Sequence, residues 1–268
     1  RSYSMARGPK KHLKRIRAPK SWMMDKMGGV FATRPSQGPH KLRESMPLNV
    51  ILTKKLGYAL NNKEVTTILK EKENEVRVDD KVRREGKFPV GFQDVVTIPK
   101  TGDAFRVFYD EKRRFILLKL KEKETSVKLC KIVRVEIGAN KISYAVTHDA
   151  RMIRHVDPNI KVGDSILFNF KTNTIEKHFS LSVGHKAIVT FGNNLGRIGA
   201  IQSIVKKLGN IAVITLKDEA GHVYNTRIGN VFVLGDNKVA CSLPKAKGIK
   251  YTVKEVVEKQ MEHDEDEE

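Results

Sequence analysis

The sequence predicts an α+β chain: a basic N-terminal arm, a small helix and hairpin module, and then a series of short-stranded β units. Three observations predict it. The first 43 residues carry twelve Lys and Arg against one acid, Asp25. Leu48, Ile51, Leu52, Leu56, Ala59 and Leu60 recur at helical spacing. Beyond Phe88, β-branched and aromatic runs alternate with Gly, Asp, Asn and Lys. At 268 residues the chain is longer than one small domain needs and suits two or three compact units.

The arm is built from cations and chain breakers. Gly8, Pro9, Pro19, Gly28, Gly29, Pro35, Gly38 and Pro39 interrupt any long helix. Such a segment buries too little apolar surface to fold alone, so it is expected to thread between phosphates and become ordered there. Arg7, Lys10, Lys11, Lys14, Arg15, Arg17 and Lys20 are the candidate phosphate contacts. Trp22 and Phe31 are large aromatics in a polar segment. They suit stacking on a base or docking the arm onto its own domain, and the residues alone do not choose between these.

The apolar stripe predicts a first helix, with Pro47 in its first turn and Lys54 and Lys55 off the stripe, facing solvent. Asn61 with Glu64 has capping-box spacing and predicts a second helix carrying Val65, Ile68 and Leu69. Val76, Val78 and Val82 flank Asp79-Asp80, which predicts a tight turn between two short strands. Arg77, Lys81, Arg83 and Arg84 then surround a small hairpin, although an ordinary charged helical hairpin fits the same spacing.

Strands are predicted at Val95–Ile98, Phe105–Tyr109, Phe115–Leu120, Leu129–Ile137 and Ile166–Phe170, with turns at 101–103 and 162–164. Their spacing suits a small barrel or sandwich. A second β unit starts near Leu181 with a strand at 187–189, followed by the loop Gly192-Asn193-Asn194-Leu195-Gly196-Arg197-Ile198-Gly199. Its glycines allow positive φ and close backbone approach. Asn193, Asn194 and Arg197 are expected to project and donate to phosphates or base edges, the alternative being a plain bulged hairpin. The spacing is that of neither a dinucleotide fingerprint nor a P-loop. Residues 211–216 and 231–234 complete the unit, Val253, Val256 and Val257 mark a closing helix, and Glu262 to Glu268 is an acidic tail with no Lys or Arg.

The charge narrows the function. Lys and Arg total 51 against 31 Asp and Glu, a formal +20, which favours a polyanionic partner. No apolar run approaches bilayer length, and no apolar stretch follows the basic N-terminus as in a secretory signal. Cys130 and Cys241, far apart, argue against a disulfide scaffold and suit a reducing compartment. Eight histidines form no H-x-x-x-H pair and neither cysteine has a sequence-near partner, so no metal site and no cofactor are expected. His148-Asp149 is read as a turn or a phosphate contact rather than a catalytic dyad, and no nucleophile motif occurs, so no enzyme is expected.

Several blocks resemble a known family. Met5 to Arg15, Ala18-Pro19-Lys20-Ser21-Trp22, Gly38 to Glu44, Phe88 to Val95, Leu129-Cys130-Lys131, Val146 to Arg151 and above all Asn194 to Gly199 are similar, in order, to the eukaryotic and archaeal small-subunit ribosomal protein four. This is the type distinct from the bacterial protein of that number. The resemblance implies a basic arm (1–45), an alpha-L RNA-binding module (46–108), a central β domain (109–177) and a KOW unit (178–211). A C-terminal β/helix extension (212–257) and an acidic tail (258–268) follow. It implies alpha-L contacts at Arg43, Lys54, Lys55, Arg77 and Lys81, and KOW-loop contacts at Asn193, Asn194 and Arg197. The implied partners are small-subunit rRNA and neighbouring small-subunit ribosomal proteins, on a cytoplasmic ribosome assembled in the nucleolus. Membrane binding and homo-oligomerisation are not expected.

The chain departs from that pattern in places. Phe191 stands where a glycine is expected, Asp79-Asp80 replaces Asp-Gly, and Arg1 to Ser4 precede the usual start. Two rival readings stay open: a KOW-containing factor that binds RNA transiently, and an RNA pseudouridine synthase with an alpha-L accessory module. The second needs a large catalytic domain, for which the small β units leave little room.

Overall fold

The computed structural model describes residues 8, 10–71, 75–236 and 238–258. Arg7 and the acidic run from Glu262 lie outside the described residues. The chain divides into two compact units, Arg1–Val107 with Lys119–Thr125, and Phe108–Leu118 with Ser126–Glu268. It is mostly β, with short helices and several small sheets.

In the first unit, β1 (Leu13–Lys14) pairs antiparallel with β2 (Phe31–Ala32), and two single-turn helices, Arg15–Arg17 and Lys20–Trp22, lie between them. The arm was expected to be unable to fold alone, ordering on RNA or docking onto its own domain through Trp22 and Phe31; its described part folds within this unit. The cause is Trp22, which is 0% exposed and whose Nε1 donates to the backbone oxygen of Ser45 at 2.8 Å. Burying an indole with its N–H satisfied supplies what the cationic sequence around it lacks.

β3 (Ser45–Pro47) leads into α1 (Leu48–Val50), which continues as a π-helical turn at Ile51–Lys55. Pro47, expected in the first helical turn, caps the helix instead, with ψ 142°, and faces Pro89 across the strand pair. Leu48, Ile51, Leu52 and Ala59 are buried as the stripe requires, but Leu60 is 87% exposed. Gly57, with φ 70°, turns the chain away before the stripe is complete. α2 (Asn62–Lys70) starts at the expected box, the Glu64 carboxylate accepting from the Leu60 N–H at 2.7 Å and from the Asn61 N–H at 3.4 Å.

β4 (Arg77–Val78) and β5 (Lys81–Val82) form the expected hairpin. Asp79 and Asp80 both have positive φ, 52° and 63°, as a two-residue primed turn demands. Non-glycine residues resist this region. The Asp79 carboxylate offsets the strain by accepting the Val95 N–H at 3.0 Å. β6 (Pro89–Gly91) pairs with β3. β7 (Val95–Ile98), β8 (Asp103–Tyr109) and β9 (Phe115–Lys119) complete a sheet of order β5-β4-β7-β8-β9, of which the end of β8 and nearly all of β9 are counted with the second unit.

The second unit holds two five-stranded sheets. β10 (Val127–Ile137), β11 (Ser143–Thr147), β12 (Met152–Arg154), β13 (Ser165–Asn169) and β14 (Ile175–Phe179) are ordered β12-β11-β10-β13-β14. β10 pairs with β13 along its first half and with β11 along its second, the partners changing at a bulge near Ile132. β15 (Lys186–Val189), β16 (Ile198–Val205), β17 (Val213–Lys217), β18 (Val223–Arg227) and β19 (Val231–Gly235) are ordered β18-β17-β16-β15-β19. Ala187, Val189, Ile201, Ile214, Leu216, Tyr224 and Val231 form the core of this sheet. A short helix over 253–258 follows, where the late valines predicted one.

Candidate nucleic-acid interface

Cations that remain available to a polyanion are exposed and lack a carboxylate. Lys10, Lys11, Arg17 and Lys20 of the arm meet this condition among the described residues, as do Arg43 and Lys81. Lys14 is also exposed, and its Nζ lies 4.3 Å from the centroid of the half-exposed Phe31 ring. The His12 ring lies 5.7 Å from the same Phe31 ring. Lys54 is exposed beside Asp25, at 3.8 Å, and Lys55 is half-buried. Arg77 lies between Glu75 at 3.2 Å and Asp80 at 3.5 Å, which reduces the charge it offers a phosphate.

Trp22 takes the second of its two expected roles, and Arg15 departs from the phosphate contact expected of it. Trp22 has no free face for a base, so docking is the role it performs in this fold. Arg15 closes the arm on itself: its Nη2 meets Asp25 at 2.8 Å and its Nε donates to the Asp25 backbone oxygen. The hydrogen bond from Arg15 holds the Asp25 carboxyl below the usual carboxylate range. Asp25 therefore gathers Arg15 and Lys54, joining the arm to the helical module inside one unit.

The glycine loop also requires correction. Asn193 projects as expected, but the Asn194 amide donates to the backbone oxygen of Asn225 at 3.2 Å. Arg197 turns inward. Its side chain is 11% exposed, Nη2 lies 2.5 Å from Asp218 Oδ2, and the guanidinium rests 3.8 Å from the Tyr224 ring centroid. Burial pushes the Asp218 carboxyl up despite the opposing pull of Arg197, and burial with the nearby Asp218 charge pushes the Tyr224 hydroxyl up. A guanidinium committed to a buried carboxylate and stacked on a ring is not free to grip phosphate. The glycines serve packing here: a Cβ on Gly196, at φ 87°, would strike the Asp110 backbone, and one on Gly199 would strike the Lys217 carbonyl. Phe191 begins the loop 53% exposed.

A buried polar cluster in the second unit had no sequence-local signal. Pairing of β10 with β11 brings Cys130, His148 and Asp149 together, their ligand-type atoms within 4.8 Å of one another. Cys130 thus gains neighbours 18 and 19 residues away, which spacing along the sequence does not reveal. The donor set does not suit a cation, however. The Asp149 carboxylate already accepts from Lys128 Nζ at 3.0 Å, from Arg151 Nε at 2.7 Å and from the Thr147 hydroxyl. A fully buried ammonium this close repels any divalent ion. Burial alone would raise the Asp149 carboxyl, but Lys128, His148, the Thr147 hydroxyl and Arg151 together hold it far below the usual range. His148 Nδ1 accepts the Lys131 N–H at 3.2 Å, so the His148-Asp149 turn braces the sheet. Lys131 Nζ in turn donates to the carbonyls of Gly229 at 2.7 Å and Val231 at 2.6 Å, and burial pushes its pKa down to about 8.

Comparison with known proteins gives a consistent picture. Three family profiles match: the RS4NT domain over residues 7–43, Ribosomal family S4e over 101–175, and the 40S ribosomal protein S4 C-terminus over 218–264. The small ribosomal subunit protein eS4 of Tetrahymena thermophila is 51% identical over 251 residues, covering 93% of this chain and 97% of that protein. The corresponding Ixodes scapularis protein is 49% identical, covering 94% and 95%. The crystal structure of the 30S ribosomal protein S4e from Thermoplasma acidophilum is 30% identical with TM-score 0.62, covering 73% of this chain and 97% of that one.

Proposed function

The chain belongs to the ribosomal S4e family, and from that premise we infer that it is an architectural constituent of the small ribosomal subunit that holds small-subunit rRNA. It is not an enzyme. Its likeness to ribosomal proteins across 93% of the chain disfavours both the pseudouridine synthase and the transient-factor readings. In this reading residues 46–108 act as the alpha-L module and 178–211 as the KOW unit, with other small-subunit proteins as neighbours. Assembly in the nucleolus belongs to the same reading.

The observation that carries the rRNA contact is the set of exposed cations on the arm, Lys10, Lys11, Arg17 and Lys20, that meet no carboxylate among the described residues. Each neutralises a phosphate and releases a condensed counterion. Such contacts fix position rather than read sequence. Trp22 and Arg15 contribute indirectly, by fixing the arm that presents these cations.

Replacing Lys10, Lys11, Lys14, Arg17 and Lys20 with Gln is expected to reduce the slope of log affinity against log salt by about three to five. Filter binding of the full chain to small-subunit rRNA over a salt series measures this. An unchanged slope removes the arm from the interface.

A further inference from the structure

We propose that the tip of the β16–β17 hairpin, together with Arg227 at its base, is a second rRNA-contacting surface, at the end of the C-terminal sheet opposite the glycine loop. The proposal rests on the family reading above and moves the RNA contact of this sheet away from Arg197.

The two ends of the sheet differ in charge state. At one end lie the glycine loop, between β15 and β16, and the turn between β17 and β18. That end carries its own acids, which hold most of its cations: Arg197 meets Asp218 at 2.5 Å, and Lys186 and Lys247 meet Glu219 at 3.1 and 3.2 Å, while Lys217 beside them is exposed. The β16–β17 hairpin points the other way. From Ala200 to Lys217 there is no acidic residue. Lys206 and Lys207 are exposed and have no partner among the described residues. The register sets Val205 beside Val213 and Val213 beside Arg227, so Arg227, also exposed and without a partner among the described residues, lies at the base of the same tip.

The tip is also apolar where a solvated turn has no need to be. Leu208 is fully exposed, and Ile211, Val205 and Val213 are 58%, 46% and 38% exposed. Three uncompensated cations on strands and a turn that carry no acid fit a polyanion, and the adjoining aliphatic side chains fit the ribose and base faces of a groove or a loop. A protein partner would have to bring its own carboxylates to the same place. The charge balance therefore favours RNA.

The test uses the full chain carrying Lys206→Gln, Lys207→Gln and Arg227→Gln, with binding to small-subunit rRNA measured over a salt series. The expected result is a slope lower by about two to three and an affinity roughly tenfold weaker at low salt, with the thermal midpoint unchanged. Wild-type slope and affinity in this variant overturn the proposal while leaving the family reading intact. Failure of the unaltered chain to bind the rRNA overturns both. If the triple variant binds as wild type while Leu208→Ser blocks incorporation into subunits, a protein occupies the tip and the proposal fails.

Discussion

Trp22→Ala is expected to destabilise the first unit by about 3–5 kcal/mol and to release the arm from it. The indole is fully buried, and its Nε1–H is committed to the Ser45 carbonyl in the strand that precedes α1. Truncation leaves a cavity and an unpaired carbonyl, and the cation-rich sequence around it has little else to hold it. Leu13, 8% exposed, and Pro35 are the other buried apolar residues among the described residues of the arm. Denaturant unfolding measures the loss, and limited proteolysis reports whether the arm has detached. The same variant should also weaken rRNA binding through freedom of the arm rather than loss of charge, leaving the salt slope nearly intact. Stability within about 1 kcal/mol of wild type would show that Trp22 does not anchor the arm.

Asp149→Ala should cost the second unit about 3–5 kcal/mol, because it strands the Lys128 ammonium in a fully buried site. Replacing both partners with apolar residues, Lys128→Met with Asp149→Leu, should recover most of that loss, since the fully buried ammonium goes with its carboxylate and only the partly exposed Arg151 loses a partner. Acid titration of the wild type has a defined sign. The native carboxyl is held far below its ordinary value of 3.8, so the unfolded state takes up the proton first. Stability from this group is complete above that value and falls as the pH drops below it, by about 1.4 kcal/mol per pH unit. Denaturant midpoints measured downward from neutral pH should show this slope in the wild type and lack it in Asp149→Asn. A wild-type slope in Asp149→Asn would mean that other carboxylates govern acid unfolding.

Much of the fold was legible because it is encoded locally. The Asn61 and Glu64 spacing starts α2, Asp79-Asp80 turns the first hairpin, and the β-branched run at Val95–Ile98 became a strand residue for residue. Strands with little apolar signature were missed, such as β14 at the sheet edge, which reads IEKHF and leaves most of its residues partly in water. The helical stripe was extended to Leu60 because spacing alone does not register the positive φ at Gly57.

The site was less legible, because availability of a charge depends on partners distant in sequence. Arg197 looks like a loop cation until β17 brings Asp218, 21 residues away, against it. Cys130 and His148 look isolated until β10 and β11 pair. Trp22 suited either a base or its own domain, and only the burial against Ser45 decided the matter. Lys206 and Lys207 were passed over because two lysines in a turn are unremarkable until the neighbouring strands prove free of acids.

In the proposed function the exposed cations of this chain rest against rRNA within the small subunit. Sedimentation of a cell lysate through a sucrose gradient in high salt, followed by detection of the chain across the fractions, tests it most directly. Phosphate contacts made by the arm and the small domains together predict that the chain stays with the small subunit when loosely bound proteins are stripped. Recovery of the chain as a free monomer at the top of the gradient would contradict the account.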